Sequence, residues 1–154
     1  MGIKERITAR VVNLFSHSEQ PLEKTSQYQG DSGLFGPESI SWEVLGDVSS
    51  FIGGIRALMI QAAHPEVAAG VSDHSRYRED PLGRLSRTAY YVTSMTYGAT
   101  LEINHAVQMV KNAHSGVSGV SERGLTYSAT APEYSAWVHN TLTDSFLQAF
   151  HDFR

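Results

Sequence analysis

Apolar residues recur along most of this chain at intervals of three and four, which is the signature of helices with one buried face. Ile3, Ile7, Val11, Leu14 and Phe15 form the first such stripe. Residues 17–36 then lose the pattern and carry Pro21, Gly30, Asp31, Ser32 and Gly33, so a polar loop is expected there. Pro37 stands where a first-turn proline belongs, with Glu38 behind it, and predicts a helix through Trp42, Val44, Leu45 and Val48 to about Phe51. Gly53-Gly54 interrupts the pattern. Ile55, Leu58, Met59 and Ala62 resume it as far as His64-Pro65, where proline disfavours helical geometry at the residue before it.

A small-residue stretch, Val67-Ala68-Ala69-Gly70-Val71, follows and would let two backbones approach closely; residues 72–80 read as a charged loop. Asp80-Pro81 is an N-cap with a first-turn proline and opens a helix to about Tyr97. A further helix is expected from Thr100 to Ser115, then a turn-rich connection over 118–128. Thr130-Ala131-Pro132-Glu133 has the form of a capping box and opens the last helix, through Trp137, Leu142, Phe146 and Phe150. No segment reads as a strand. Tyr90-Tyr91-Val92-Thr93 has β-formers, but between strong helix signals. The expected fold is all-α, with five or six helices, divided into an amphipathic helix and loop at 1–35 and a helical domain at 36–154. The apolar residues of the last helix, Phe146, Leu147, Phe150 and Phe153, call for partners, so the domain is expected to continue past Arg154 or to be covered by another chain, including a second copy of itself.

Composition narrows the chemistry. Of 154 residues 41% are hydrophobic and 18% charged, with a net charge of −4, and no basic stripe marks a nucleic-acid binder. Cysteine is absent, which removes disulfides, thiolate nucleophiles and Cys-held metals together. The N-terminus interrupts its apolar residues with Lys4, Glu5, Arg6 and Arg10, and no stretch is long enough to span a bilayer, so a cytoplasmic location is the expectation. Phosphate-binding loops, G-x-G-x-x-G, H-E-x-x-H and G-x-S-x-G are all missing.

Any metal chemistry therefore falls to the seven histidines. His105 and His114 share a helix, but nine residues at about 100° each place them on opposite faces. His114 shares its face with Ile103, Val107 and Val110 and is expected to point inward, either as a packed histidine or as a ligand. On the preceding helix, Arg84, Arg87, Thr88 and Tyr91 form one polar stripe, beside the apolar Leu85, Ala89 and Val92. That stripe is either a solvated face or a polar wall whose arginines bind carboxylates. His64, His74 and His139 stand beside proline, aspartate and Trp137-Val138, each open to a structural or a functional reading; together they are also candidates for a metal-dependent reaction.

Several segments, taken in order, resemble a known family: Gly36-Pro37-Glu38-Ser39 with Trp42, Gly53-Gly54-Ile55-Arg56-Ala57-Leu58, Gln61-Ala62-Ala63-His64-Pro65, Val67 to Val71, His74-Ser75, Arg84 to Thr88, Tyr127-Ser128-Ala129 and Trp137-Val138-His139. They are similar to the domain shared by rubber oxygenase (latex clearing protein) and the endoplasmic-reticulum-bound oxygenase MpaB, over about residues 36–154. The resemblance implies an all-α fold, b-type haem iron held by one histidine, and cleavage of double bonds in an apolar, isoprenoid-like substrate with dioxygen. It places His114, preceded by Val110, at the iron-ligand position, with His139 and His64 the next candidates, and Arg84 beside the cofactor. Arg84, Arg87 and Thr88 match an Arg-x-x-Lys-Thr distal motif in which arginine here replaces lysine. A neutral lysine can ligate iron; arginine stays protonated and does not. The family's proposed glutamate base has no secure match, and Glu66 lies nearby. Set beside this reading is a cofactor-free helical module that binds an apolar ligand or a partner protein.

Overall fold

The computed structural model describes residues 25–154, with Gly2, Ile3, Glu5, Arg6 and Leu22. The amphipathic segment expected over residues 3–15 lies largely outside the described residues. Among those described are six α-helices: α1 (Ile40–Gly46), α2 (Ser49–Gln61), α3 (Pro65–His74), α4 (Pro81–Tyr97), α5 (Thr100–His114) and α6 (Pro132–Phe153). A two-stranded antiparallel hairpin, β1 (Ser118–Val120) and β2 (Thr126–Ser128), separates α5 from α6. The fold is mostly helical, as the periodicity implied. The chain divides into two compact units, one of residues 1–34 and 76–107, the other of residues 35–75 and 108–154, so the boundary falls within α5.

In the first unit the helix starts follow local chemistry. The Asp80 carboxylate accepts the Gly83 amide at 2.9 Å, and Pro81 supplies a preset φ in the first turn of α4. Asp31 does the same for α5 from a distance in sequence: its oxygens accept the Thr100 amide at 2.8 Å and the Thr100 hydroxyl at 3.0 Å. The most buried positions of α4 are Gly83, Ser86, Ser94 and Thr96 rather than the apolar stripe, and Leu85 is exposed.

The second unit is organised by the pairing of α2 with α6. Ala57 and Ala149 are buried there, and the Arg56 guanidinium donates to Asp144 at 2.6 Å and to the Ser145 hydroxyl at 2.8 Å. Gly53-Gly54 does not end a helix but lies inside α2. A Cβ on Gly53 would stand 2.9 Å from Phe146 Cδ1 and 3.0 Å from the Ser145 carbonyl oxygen, so the glycine lets α6 come close. That approach outweighs glycine's low helix propensity.

Other boundaries also differ from expectation for local reasons. Pro37 precedes α1 by three residues; Ser39 is the N-cap, its oxygen accepting the Trp42 amide at 3.4 Å. One helix expected to Phe51 is two, parted near Asp47, whose carboxylate accepts the Ser49 amide at 2.8 Å. Residues 72–74 complete α3 instead of opening a loop. The N-cap of α6 is Ala131, which offers no side-chain acceptor, while Thr130 pairs with the Ser128 hydroxyl at 2.8 Å. The connection over 118–128 contains the hairpin, turned by Gly124 at φ +76°.

Candidate functional site

His114 is the last residue of α5. The stripe on which it was placed is real: Ile103 is buried and Val107 and Val110 are half-buried. His114 itself is exposed, which corrects the expectation that it points inward. Periodicity gives the direction of a side chain around the helix axis, not how far along the axis its cover extends. Desolvation by surrounding protein nevertheless draws its pKa below the usual imidazole value, although one side of the ring stays open to water. Among the described residues no side chain is hydrogen-bonded to the ring. Desolvation thus favours the neutral imidazole of His114 over the protonated one.

Arg84, Arg87 and Thr88 lie on α4 and differ in their surroundings. Arg87 is exposed and paired with Asp80, the helix N-cap, at 3.3 Å. The Thr88 hydroxyl donates to the Arg84 carbonyl at 3.1 Å. Arg84 is half-buried and no carboxylate pairs with it among the described residues. Desolvation, and then the like charge of Arg87, lower its pKa, yet a guanidinium remains cationic at any physiological pH. A partly desolvated, unpaired arginine is a ready partner for a carboxylate. Tyr91, on the same stripe, is half-buried.

Among the described residues, the other histidines are not gathered into one group. His105 is exposed, with the Tyr90 hydroxyl 3.5 Å from its Nδ1. His139 is exposed on α6. His64 occupies the backbone N-cap position of α3 and is held by aromatic rings, Tyr134 edge-on at 5.3 Å and Trp137 at 5.6 Å. Its Nδ1 is 3.3 Å from Glu66 Oε2, close enough for charge attraction but not aligned as a hydrogen bond. His74 donates from Nε2 to the Ser118 carbonyl at 3.1 Å. Among the described residues, no three histidine or carboxylate side chains are arranged to hold a metal ion.

Glu66 and Tyr127 form connections that sequence reading passed over. The Glu66 carboxylate is 3% exposed. Burial alone would raise its pKa; the hydrogen bond from the Ser121 hydroxyl at 3.0 Å, its own amide, and the charges of Arg123 and His64 together bring it below the usual value. Tyr127 is 5% exposed and donates to Asp73 at 2.5 Å, which, with burial, pushes its hydroxyl up to about 12. The available signal was Gly119, which stands opposite Tyr127 in the hairpin and leaves room for its ring.

With that geometry in place, the sequence profile described as "ER-bound oxygenase mpaB/B'/Rubber oxygenase, catalytic domain" matches residues 42–154, well over half of the chain. The chain belongs to this oxygenase family. The match spans α2 to α6 and the hairpin, and so includes His114, Arg84, Arg87, Thr88, His64 and His139. No curated protein and no solved structure is similar enough to match. No helix among the described residues is long and apolar enough to cross a membrane.

Proposed function

We propose that this domain is a haem-dependent oxygenase in which His114 holds the iron through a single imidazole nitrogen. The observation that carries the reading is the oxygenase-family match over residues 42–154, within which His114 lies at the end of α5 with no hydrogen-bond partner for its ring among the described residues. A neutral imidazole nitrogen is the form that would hold haem iron. Arg84, without a carboxylate partner among the described residues, has the chemistry to bind a carboxylate. Among the described residues no group of histidines converges to hold a bare metal ion, and a lone imidazole is a donor set that would suit b-type haem.

When bound, the haem supplies the oxygen chemistry, and the protein supplies binding, orientation and polarity. Arg87 is committed to Asp80, and a guanidinium offers donors and no acceptor, so it would orient a bound molecule through hydrogen bonds. Thr88 has its hydroxyl proton engaged by the Arg84 carbonyl, leaving its oxygen as an acceptor on the same face. The substrate class suggested by the family is an apolar, small or isoprenoid-like molecule. Titration of the chain with hemin tests the proposal. A Soret band saturating at one equivalent is expected, and its absence contradicts the haem reading.

A second reading is favoured by a different observation. Ile52, Ile55 and Met59 leave an exposed apolar stripe on α2, lining a shallow depression of about 390 Å³ with Arg56 and Ile60. This would suit a cofactor-free module for an apolar ligand or partner protein. Haem-free protein that binds a fatty-acyl probe, with Ile55→Glu abolishing the binding, would favour it.

A further inference from the structure

The hairpin that follows His114 is fastened to α3 at three points. The buried Ser121 hydroxyl donates to Glu66, His74 donates from Nε2 to the Ser118 carbonyl, and the Tyr127 hydroxyl donates to Asp73 at 2.5 Å. Tyr127 is the most deeply built of these. Its ring lies over Gly119, where a Cβ would meet the tyrosine oxygen at 2.5 Å and Cζ at 2.8 Å. The other side of the ring meets Gly70 of α3, whose added Cβ would stand 3.4 Å from Cε2. The small-residue stretch 67–71 is thus the seat for one aromatic ring, and His74 packs edge-on against it at 6.2 Å.

This fastening reaches His114 in two hydrogen bonds. The carbonyl of His114 is one of the carbonyls that a helix end leaves without an intrahelical partner, and it accepts the Val117 amide at 3.0 Å. The carbonyl of Val117 in turn accepts the Ala129 amide at 2.9 Å, two residues beyond Tyr127. Val117 therefore ties the last turn of α5 to the strand that carries Tyr127. A helix end without such a tie frays, and the direction of its terminal side chain varies with it.

We propose that Tyr127 is a positioning residue for His114: by locking the hairpin to Asp73 and Gly70 of α3 it fixes the turn from which the imidazole projects. The functional consequence rests on the reading of His114 as iron ligand; the mechanical one does not. Function at a metal depends on ligands held in place by surrounding groups, and this couple is such a support.

Tyr127→Phe keeps the ring and its packing and removes only the hydroxyl. Hydrogen–deuterium exchange on the whole chain should show the Val117 and Ala129 amides exchanging about tenfold faster, the scale of one lost hydrogen bond to a charged group. Amides in the middle of α2 and α6 should be unchanged. Asp73→Ala should give the same pattern, and the double variant should be no worse than either single one, because both remove one interaction. In the hemin-loaded chain the iron–imidazole stretching band should broaden in Tyr127→Phe, with haem lost to an apomyoglobin acceptor about tenfold faster, the same factor carried over. Unchanged exchange at Val117 and Ala129 overturns the proposal, and so does uniform acceleration of all amides, which marks general destabilisation. If the wild-type chain takes up no haem, the ligand reading alone fails, and the exchange pattern still decides whether Tyr127 fixes the turn.

Discussion

Gly53 and Gly54 are neighbours on α2, yet substitution by alanine should act on them with opposite sign. Alanine gains about 1 kcal/mol over glycine in a helix interior, at either position. At Gly54 the nearest atom to an added Cβ is Phe146 Cε1 at 3.9 Å, an ordinary contact, so the gain is kept. Gly54→Ala should stabilise the chain by about 0.5–1 kcal/mol. At Gly53 the Cβ would meet Phe146 Cδ1 at 2.9 Å, Phe146 Cα at 3.0 Å and the Ser145 carbonyl oxygen at 3.0 Å. Two of those three atoms are backbone and cannot rotate away, so α6 must move. Overpacking of this kind costs about 1–3 kcal/mol, and the backbone contacts put this case at the upper end. After the propensity gain, Gly53→Ala should be destabilised by about 1–2 kcal/mol. The two variants should then differ by about 2–3 kcal/mol, or roughly 5–10 °C in Tm for a chain of this length. Urea unfolding followed by circular dichroism measures the difference. Equal stability of the two variants would refute the close approach of α2 and α6.

Three other outcomes follow from the same structure. Glu66 titrates below its usual value of 4.5, so its contribution to stability is full above that pH and is lost as pH falls through its lower folded value; Ser121→Ala should shift the acid limb of a urea-midpoint-against-pH curve upward, and an unmoved limb would count against the buried bond. Tyr127 is raised from 10.0 to about 12, so its contribution is full below about pH 10 and lost as pH climbs toward 12; spectrophotometric titration should show a late-ionising tyrosine near that value, absent in Tyr127→Phe. Ser39→Ala should lower stability by about 0.5–1 kcal/mol through loss of the α1 cap, and an unchanged urea midpoint would show that the 3.4 Å bond contributes nothing.

The helices were legible wherever a local rule governs the backbone. Proline presets φ at Pro81 and Pro132, Asp80 caps, and the 3.6-residue period carries α4 and α5 nearly to their observed ends. Gly53-Gly54 misled because its role is tertiary: the glycine is required by the backbone of a helix about ninety residues away, and no local pattern encodes that. The hairpin was missed because its strands are three residues long, too short for alternation to register, and are held by contacts to α3. Within the candidate site, the face occupied by His114 could be read from Ile103, Val107 and Val110. Its exposure could not, since the period says nothing about where covering elements stop. The tie from Tyr127 through Val117 is invisible in the sequence, as it runs through backbone groups that every residue carries.

The proposed holding of haem iron by His114 is tested most directly by the visible spectrum of His114→Ala mixed with hemin, taken beside wild type and with imidazole then added. Loss of the wild-type Soret and visible bands, restored by added free imidazole, is the result expected if one histidine holds the iron. An unchanged spectrum in His114→Ala would contradict that assignment and move the ligand to His139 or His64.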